Sequence, residues 1–259
     1  MAIIKGKYGA TSISNDAKIE RALKEAAKIG KTAAVRALND AAFRTRKAIQ
    51  QRMDQIFNYP TPWIKNNLLY KKADIKDASP KASLAFRDES TSKRMGYNNP
   101  AETILPQVRG GSSKPTNLED TLVSKGIMPK GMHIVPGRGL KLNKYGNIRP
   151  GDIVRILSAL KLFNDQRQNL SERSKAKQQK FAQSLFVINA PHPRLNMGIW
   201  ERRKGGIRLL IKFINAPDYK VKFNFEKECS DIFDKELIKQ IKYQMSKSGG
   251  SAGPSGDAV

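Results

Sequence analysis

The sequence predicts an α+β protein, with a long N-terminal helix and a C-terminal helix packed on an antiparallel sheet and a loop-rich middle insertion. Three observations lead there. Apolar residues recur at spacings of three and four over residues 15–58 and 226–245, the period of a helix with one buried face. The run Lys81–Arg87 alternates with a period near two, which suits a half-buried strand. Gly, Pro and Asn crowd residues 90–180, where they punctuate short elements. The expected organisation is an N-terminal arm over 1–14, an α+β core built from 15–89 and 181–245, and an inserted loop-rich helical region over 90–180. A disordered tail over 246–259, rich in Gly, Ser, Ala and Pro, completes it.

The first helix can start at Asn15 or Asp16, whose side chains accept hydrogen bonds from first-turn N–H groups. Glu20 suits the positive end of the helix dipole. The apolar stripe includes Ile19, Leu23, Ala33, Ala37, Leu38, Ala41, Ile49 and Met53, and its many Ala residues permit close approach of a neighbour. The polar face carries ten basic residues, among them Arg36, Arg44, Arg46 and Lys47, against five acidic ones. Gly30 lies mid-helix at a cost of about 1 kcal/mol relative to Ala. Pro60 and Pro62 end the helix.

Leu68–Ala73 and Lys81–Arg87 follow as two strands joined by a polar turn at Asp77–Pro80. In the middle region, short helices are expected at Leu118–Lys125 and Pro150–Asn164, with a small hairpin over Leu140–Ile148. Four strands come next: Phe181–Asn189, Gly198–Arg203, Ile207–Ile214 and Tyr219–Phe223. Gly205-Gly206 turns the second into the third, since glycine tolerates the positive φ of a tight turn. The closing helix buries Ile232, Phe233, Leu237, Ile238 and Ile241.

Composition narrows the function. The 259 residues hold 48 Lys and Arg against 23 Asp and Glu, a net charge of +25, and 39% are hydrophobic. That is enough apolar material for a core. The longest apolar runs are too short to span a bilayer, and no secretory signal is visible. One cysteine, Cys229, excludes an intrachain disulfide framework, and two histidines leave little for a metal site. No metal, cofactor or catalytic residue is expected. The charge points to an acidic partner: nucleic acid or acidic protein.

No phosphate-binding Gly-Lys-Ser/Thr loop is present, and Pro136-Gly-Arg-Gly139 lacks the residues that would make it one, so it reads as a turn. Pro191-His-Pro-Arg194 reads as a rigid loop with an exposed His192, His133 as packed or hydrogen-bonded, and Cys229 as a small buried hydrophobe. Trp200-Glu-Arg-Arg203 has two readings: an interface, since Trp and Arg dominate hot spots, or a core position for Trp200. The interface candidates are Trp200, Arg202, Arg203, Trp63 and Tyr70. A second basic stretch runs from Lys141 to Lys180 and includes Arg155, Arg167, Arg173, Lys175 and Lys177. It accompanies no helix-turn-helix, zinc finger or RNA-binding signature, so it fits non-specific contact rather than sequence readout.

Several segments together resemble the minor tail protein Z and tail-completion (neck) proteins of tailed bacteriophages. They are the Ala- and Arg-rich helix Val35–Arg46, the strand Leu68–Lys72 and the hairpin Gly198–Ile211. The segment Tyr219–Phe225 leading into a C-terminal helix belongs with them, as do Leu105–Gly111, Gly126-Ile127 and Val135–Gly137. The resemblance spans most of 15–245. It implies a virion structural protein at the head–tail junction, assembled in the host cytoplasm. Such a protein forms a homo-oligomeric ring, sixfold or twelvefold, and docks to neck, portal-adaptor or tail proteins. It implies no enzyme and no membrane, and allows non-specific contact with packaged DNA. The alternative expectation is a non-specific nucleic-acid-binding protein using its basic surface.

Overall fold

The computed structural model describes residues 3–6, 9–12, 30–87, 99–162 and 172–249. In chain order the elements begin with β1 (Ile3–Gly6), β2 (Gly9–Ser12), α1 (Lys31–Ile56), α2 (Pro62–Asn66), β3 (Leu68–Lys71), β4 (Ser83–Phe86) and α3 (Pro100–Arg109). Next come β5 (Gly111–Ser112), α4 (Asn117–Ser124), β6 (Met132–Pro136), α5 (Pro150–Ala159), α6 (Glu172–Ser184) and β7 (Leu185–Ile188). The chain closes with β8 (Gly198–Arg203), β9 (Gly206–Asn215), β10 (Asp218–Tyr219) and α7 (Phe225–Gly249). The fold is α+β, with two long helices and antiparallel sheets, as the sequence predicts. Two compact units form: residues 1–109 with 221–259, and residues 110–220.

In the first unit α1 packs along α7. The Ala-rich stripe is why: Ala37, Ala41 and Ala42 are fully buried, so the helices meet with little side-chain bulk between them. Leu38, Ile49 and Met53 extend the seam, and α7 supplies Phe225, Cys229, Phe233, Leu237 and Ile241 at helical spacing. The β3–β4 ladder, with Leu68 opposite Phe86, adds Leu68, Leu84 and Phe86 to the same core. An aromatic group closes it, with Phe57 edge-on to Phe223 at 5.6 Å and Phe86 at 5.2 Å from Phe225. Three polar side chains on α1 fasten the segment that follows it. Asn39 holds both backbone groups of Ala73, at 2.8 and 3.1 Å. Arg46 Nε donates to the Leu68 carbonyl at 2.7 Å, and Gln50 to the Lys65 carbonyl at 2.8 Å.

The expected helix over 15–58 does not run through Gly30. Its φ of 80° and ψ of 155° lie outside helical space, in a region that glycine enters freely. Residues 13–29, with the expected cap at Asn15 or Asp16, lie outside the described residues. At the other terminus α7 continues to Gly249, past the expected end at Met245, because Ser246 and Lys247 carry no breaker and Ser246 Oγ donates to the Tyr243 carbonyl. The rest of the expected tail, 250–259, lies outside the described residues.

The second unit is built on the antiparallel sheet β6-β9-β8-β7. The expected insertion over 90–180 is thus corrected: the strands after residue 184 belong with residues 110–184, not with the helical core. The Gly- and Pro-rich texture hides β6, an edge strand between Gly131 and Gly137 that pairs with β9. Leu122 of α4, Ile156 and Ala159 of α5 and Phe181 of α6 cover one sheet face, burying Ile199, Leu210, Ile211 and Phe213. Phe181 ends a helix rather than starting a strand, so β7 is shorter than expected. Of the expected strand Tyr219–Phe223 only Tyr219 is in a strand, as the second residue of β10, which pairs with β5. A β-bulge lies between Ile199 and Trp200, where Ile199 faces Ile211 and Trp200 faces Leu209. Glu119 ties α4 to β6. It completes a capping box with Thr116, accepts from the Ile134 N–H at 2.8 Å, and lies 3.2 Å from His133 Nδ1.

Candidate functional site

Each unit presents one candidate surface. In the first unit it is an exposed aromatic corner at the end of α1. Phe57 turns inward onto Phe223, and the chain then reverses through Asn58–Thr61. Tyr59 sits there at a φ of 53° and 74% exposed. A residue with a side chain pays roughly 1–2 kcal/mol for that left-handed conformation. Thr61 then caps α2 by accepting from the Ile64 N–H, with Pro62 pre-set at the first turn. Buried Ile64 anchors α2 and leaves the adjacent Trp63 41% exposed.

Elsewhere on the same unit, Arg36, Asp40, Phe43, Tyr70 and Lys72 with Asn39 line an open hollow of about 400 Å³. Phe43 and Tyr70 meet at 5.8 Å, and Lys47 Nζ lies 4.7 Å above the Phe43 ring. The fold therefore brings together Arg36 and Tyr70, two residues singled out separately from the sequence.

In the second unit the candidate surface is the β8–β9 hairpin tip. Arg203 faces Gly206, so Lys204 and Gly205 form the turn, one residue earlier than expected. Glu201 is 5% exposed and receives hydrogen bonds from Arg203 Nε at 3.2 Å and from Arg208 Nε. Burial raises the carboxyl pKa, but the hydrogen bonds and charges of Arg208 and Arg203 outweigh it and hold Glu201 below the ordinary value of 4.5. On the other sheet face, the Arg202 guanidinium lies 4.4 Å from the Phe186 ring centre, and Phe186 stacks on Trp200 at 6.3 Å.

These contacts decide between the two readings of Trp200. It is 8% exposed and its indole N–H donates to the Asn196 carbonyl at 2.9 Å, so it is a packed residue and not an interface anchor. Arg202 and Arg203 stay exposed, as do Arg36, Arg44, Lys47, Arg155 and Lys177. Arg46 departs from its expected place on the basic surface: it is half-buried and spends its Nε on the Leu68 carbonyl. Arg155 lies 3.8 Å from the Phe181 ring centre. Arg173 and Lys175 fall on α6, and Arg167 lies outside the described residues.

The remaining candidates keep structural roles. Gly137 and Gly139 donate to the Leu210 and Leu209 carbonyls, each at 2.8 Å, so these two N–H groups are unavailable to a phosphate. A Cβ at Gly137 would lie 2.3 Å from the Leu209 carbonyl oxygen, which explains the glycine. His133 is buried beside Glu119. Exposed His192 accepts from the Arg194 and Leu195 N–H groups through Nδ1. Burial and then the Glu228 charge push the Cys229 thiol far up, leaving it protonated and unreactive. Among the described residues no group of three His, Cys, Asp or Glu is placed to hold a metal, and no helix is long and apolar enough to cross a membrane.

No protein-family model, curated protein or solved structure matches the chain.

The sequence reading missed Tyr59, Lys204 and Arg208. Tyr59 carries one signal, its place between the helix end and two prolines. Arg208 carries none, since only strand pairing sets it opposite Glu201.

Proposed function

We propose that the chain is a structural virion protein of a tailed bacteriophage, of the neck or tail-completion type. It acts at the head–tail junction by assembling into a ring and docking to neighbouring connector or tail proteins. The observation that carries the reading is the aromatic corner at Tyr59 and Trp63. A strained backbone holds a tyrosine in solvent one short turn from a half-exposed tryptophan, and these residue types anchor protein contacts. The order of elements in the first unit supports it: a long basic helix, a strand pair and a closing helix, as in the proteins this chain resembles. Work is done here by contact and assembly, so the chain needs no catalytic group.

Particles made without the protein, viewed by electron microscopy, should show heads and tails unjoined or tails uncapped. Normal infectious particles would overturn the proposal. In purified protein, Trp63→Ala should lower the native mass measured by light scattering, whereas an unchanged mass would remove the corner from the subunit contact.

A further inference from the structure

We propose that the tip of the β8–β9 hairpin binds double-stranded DNA, gripping phosphates on both sides of a groove without reading bases. The site stands apart from the assembly reading and survives its failure.

The charge is concentrated. The second unit holds 21 Lys and Arg against 7 Asp and Glu. Four of those cations, Arg202, Arg203, Lys204 and Arg208, fall within seven residues at the tip, and the acid that precedes them, Glu201, is buried and already paired. The cations are also distributed on both faces. Arg202 leaves by the face of Phe186, Arg203 and Arg208 by the face of Glu201, and Lys204 sits at the turn.

That arrangement selects the partner. A flat acidic protein surface meets one face of a ribbon. A duplex groove has a phosphate strand on each side, and the major groove, about 12 Å wide, admits a two-stranded ribbon. Single strands are held by bases stacking on open aromatic rings. The tip offers no such ring, since Trp200 is buried and Phe186 has Arg202 above it. Three guanidinium groups are fixed in advance, one by the ring and two by Glu201, so little side-chain freedom is lost on binding. Guanidinium groups also match phosphate geometry. Arg and Lys can also read guanine in the major groove. Here Arg203 and Arg208 are tied through Nε to Glu201 and Arg202 lies on the Phe186 ring, so they are assigned to phosphates and not to base edges.

The test uses the full chain and a labelled duplex of about three helical turns, titrated between about 50 and 200 mM salt. Each neutralised phosphate contributes about 0.9 to the slope of log affinity against log salt. The variant Arg202→Gln/Arg203→Gln/Lys204→Gln should reduce that slope by about 2–3 and weaken binding at least about tenfold. Lys71→Gln/Lys76→Gln/Lys81→Gln, which removes the same charge from the first unit, should change the slope by less than about 1. Equal losses in the two variants would overturn the site, as would tighter binding of a single strand than of the duplex. Absence of duplex binding together with capture of poly-glutamate would overturn it in favour of an acidic protein partner. If the triple variant fails to fold, Lys204→Glu replaces it, since that turn residue is exposed; unchanged duplex affinity there would also overturn the proposal.

Discussion

The two units solve the same problem with opposite means. The first buries a helix pair whose seam is made of small residues, Ala37, Ala41 and Ala42, and fills the remainder with a Phe cluster. Its 27 basic residues face 16 acidic ones, so many charges have local partners, such as Arg52 with Glu228 and Lys65 with Asp54. The second buries one face of a sheet under three helices and carries three basic residues for each acidic one. Its acids are few and placed where they organise structure: Glu119 at β6, Glu201 at the hairpin, Asp152 beside Arg149. Charge balance thus separates a unit with a modest cationic excess from one whose cations outnumber its acids threefold.

The contrast is sharpest in the cores. Phe223→Ala removes a fully buried ring touching Phe57 and Phe225, and should cost about 3–5 kcal/mol in chemical denaturation. Trp200→Ala should cost a similar amount, about 3–5 kcal/mol, while leaving native mass unchanged. A mass change with intact stability would restore Trp200 as an interface anchor. Gly137→Ala forces a Cβ onto the Leu209 carbonyl and should destabilise by about 1–3 kcal/mol, read as a lower melting temperature.

Glu201→Gln should cost about 1–3 kcal/mol near neutral pH, because two arginines lose a charged acceptor. The folded carboxyl titrates below its ordinary value, so its contribution is present above about pH 4.5 and disappears as pH falls through the lower folded value. The stability gap between Glu201→Gln and the native chain should therefore close on acidification, and a gap independent of pH would contradict the ion-pair account. The smallest stability effect belongs to Trp63→Ala, at most about 1 kcal/mol, since that residue is 41% exposed and keeps much of its surface in water. A large loss would show that the corner is packed rather than offered to a partner.

Local patterning revealed the helix pair, because Ala, Leu and Ile recur with the helical period and the first unit's core follows those positions closely. The β8–β9 hairpin was legible through alternation and its glycines. Three features were not. The end of the first helix at Gly30 depends on one backbone conformation, which a Gly symbol permits without requiring. Strand β6 is five residues inside a Gly- and Pro-rich stretch, and its pairing with β9 joins residues far apart in sequence. Helix α6 is almost wholly polar up to Phe181, so its period carries little signal until packing against the sheet defines it. The basic tip was half legible: Arg202, Arg203 and Lys204 are consecutive, but Arg208 joins them only through strand register.

The edge strand β6 carries a consequence for how copies of this chain can meet. Its outward-pointing Ile134 N–H is occupied by Glu119, and Pro136, the next outward position, has no N–H to give. An incoming strand finds the ladder interrupted at two successive outward positions of that margin. Among the described residues only β8 pairs with β7, so β7 is the margin that remains for strand addition. A sheet whose two margins differ in this way favours pairing through β7 over end-to-end growth from both sides.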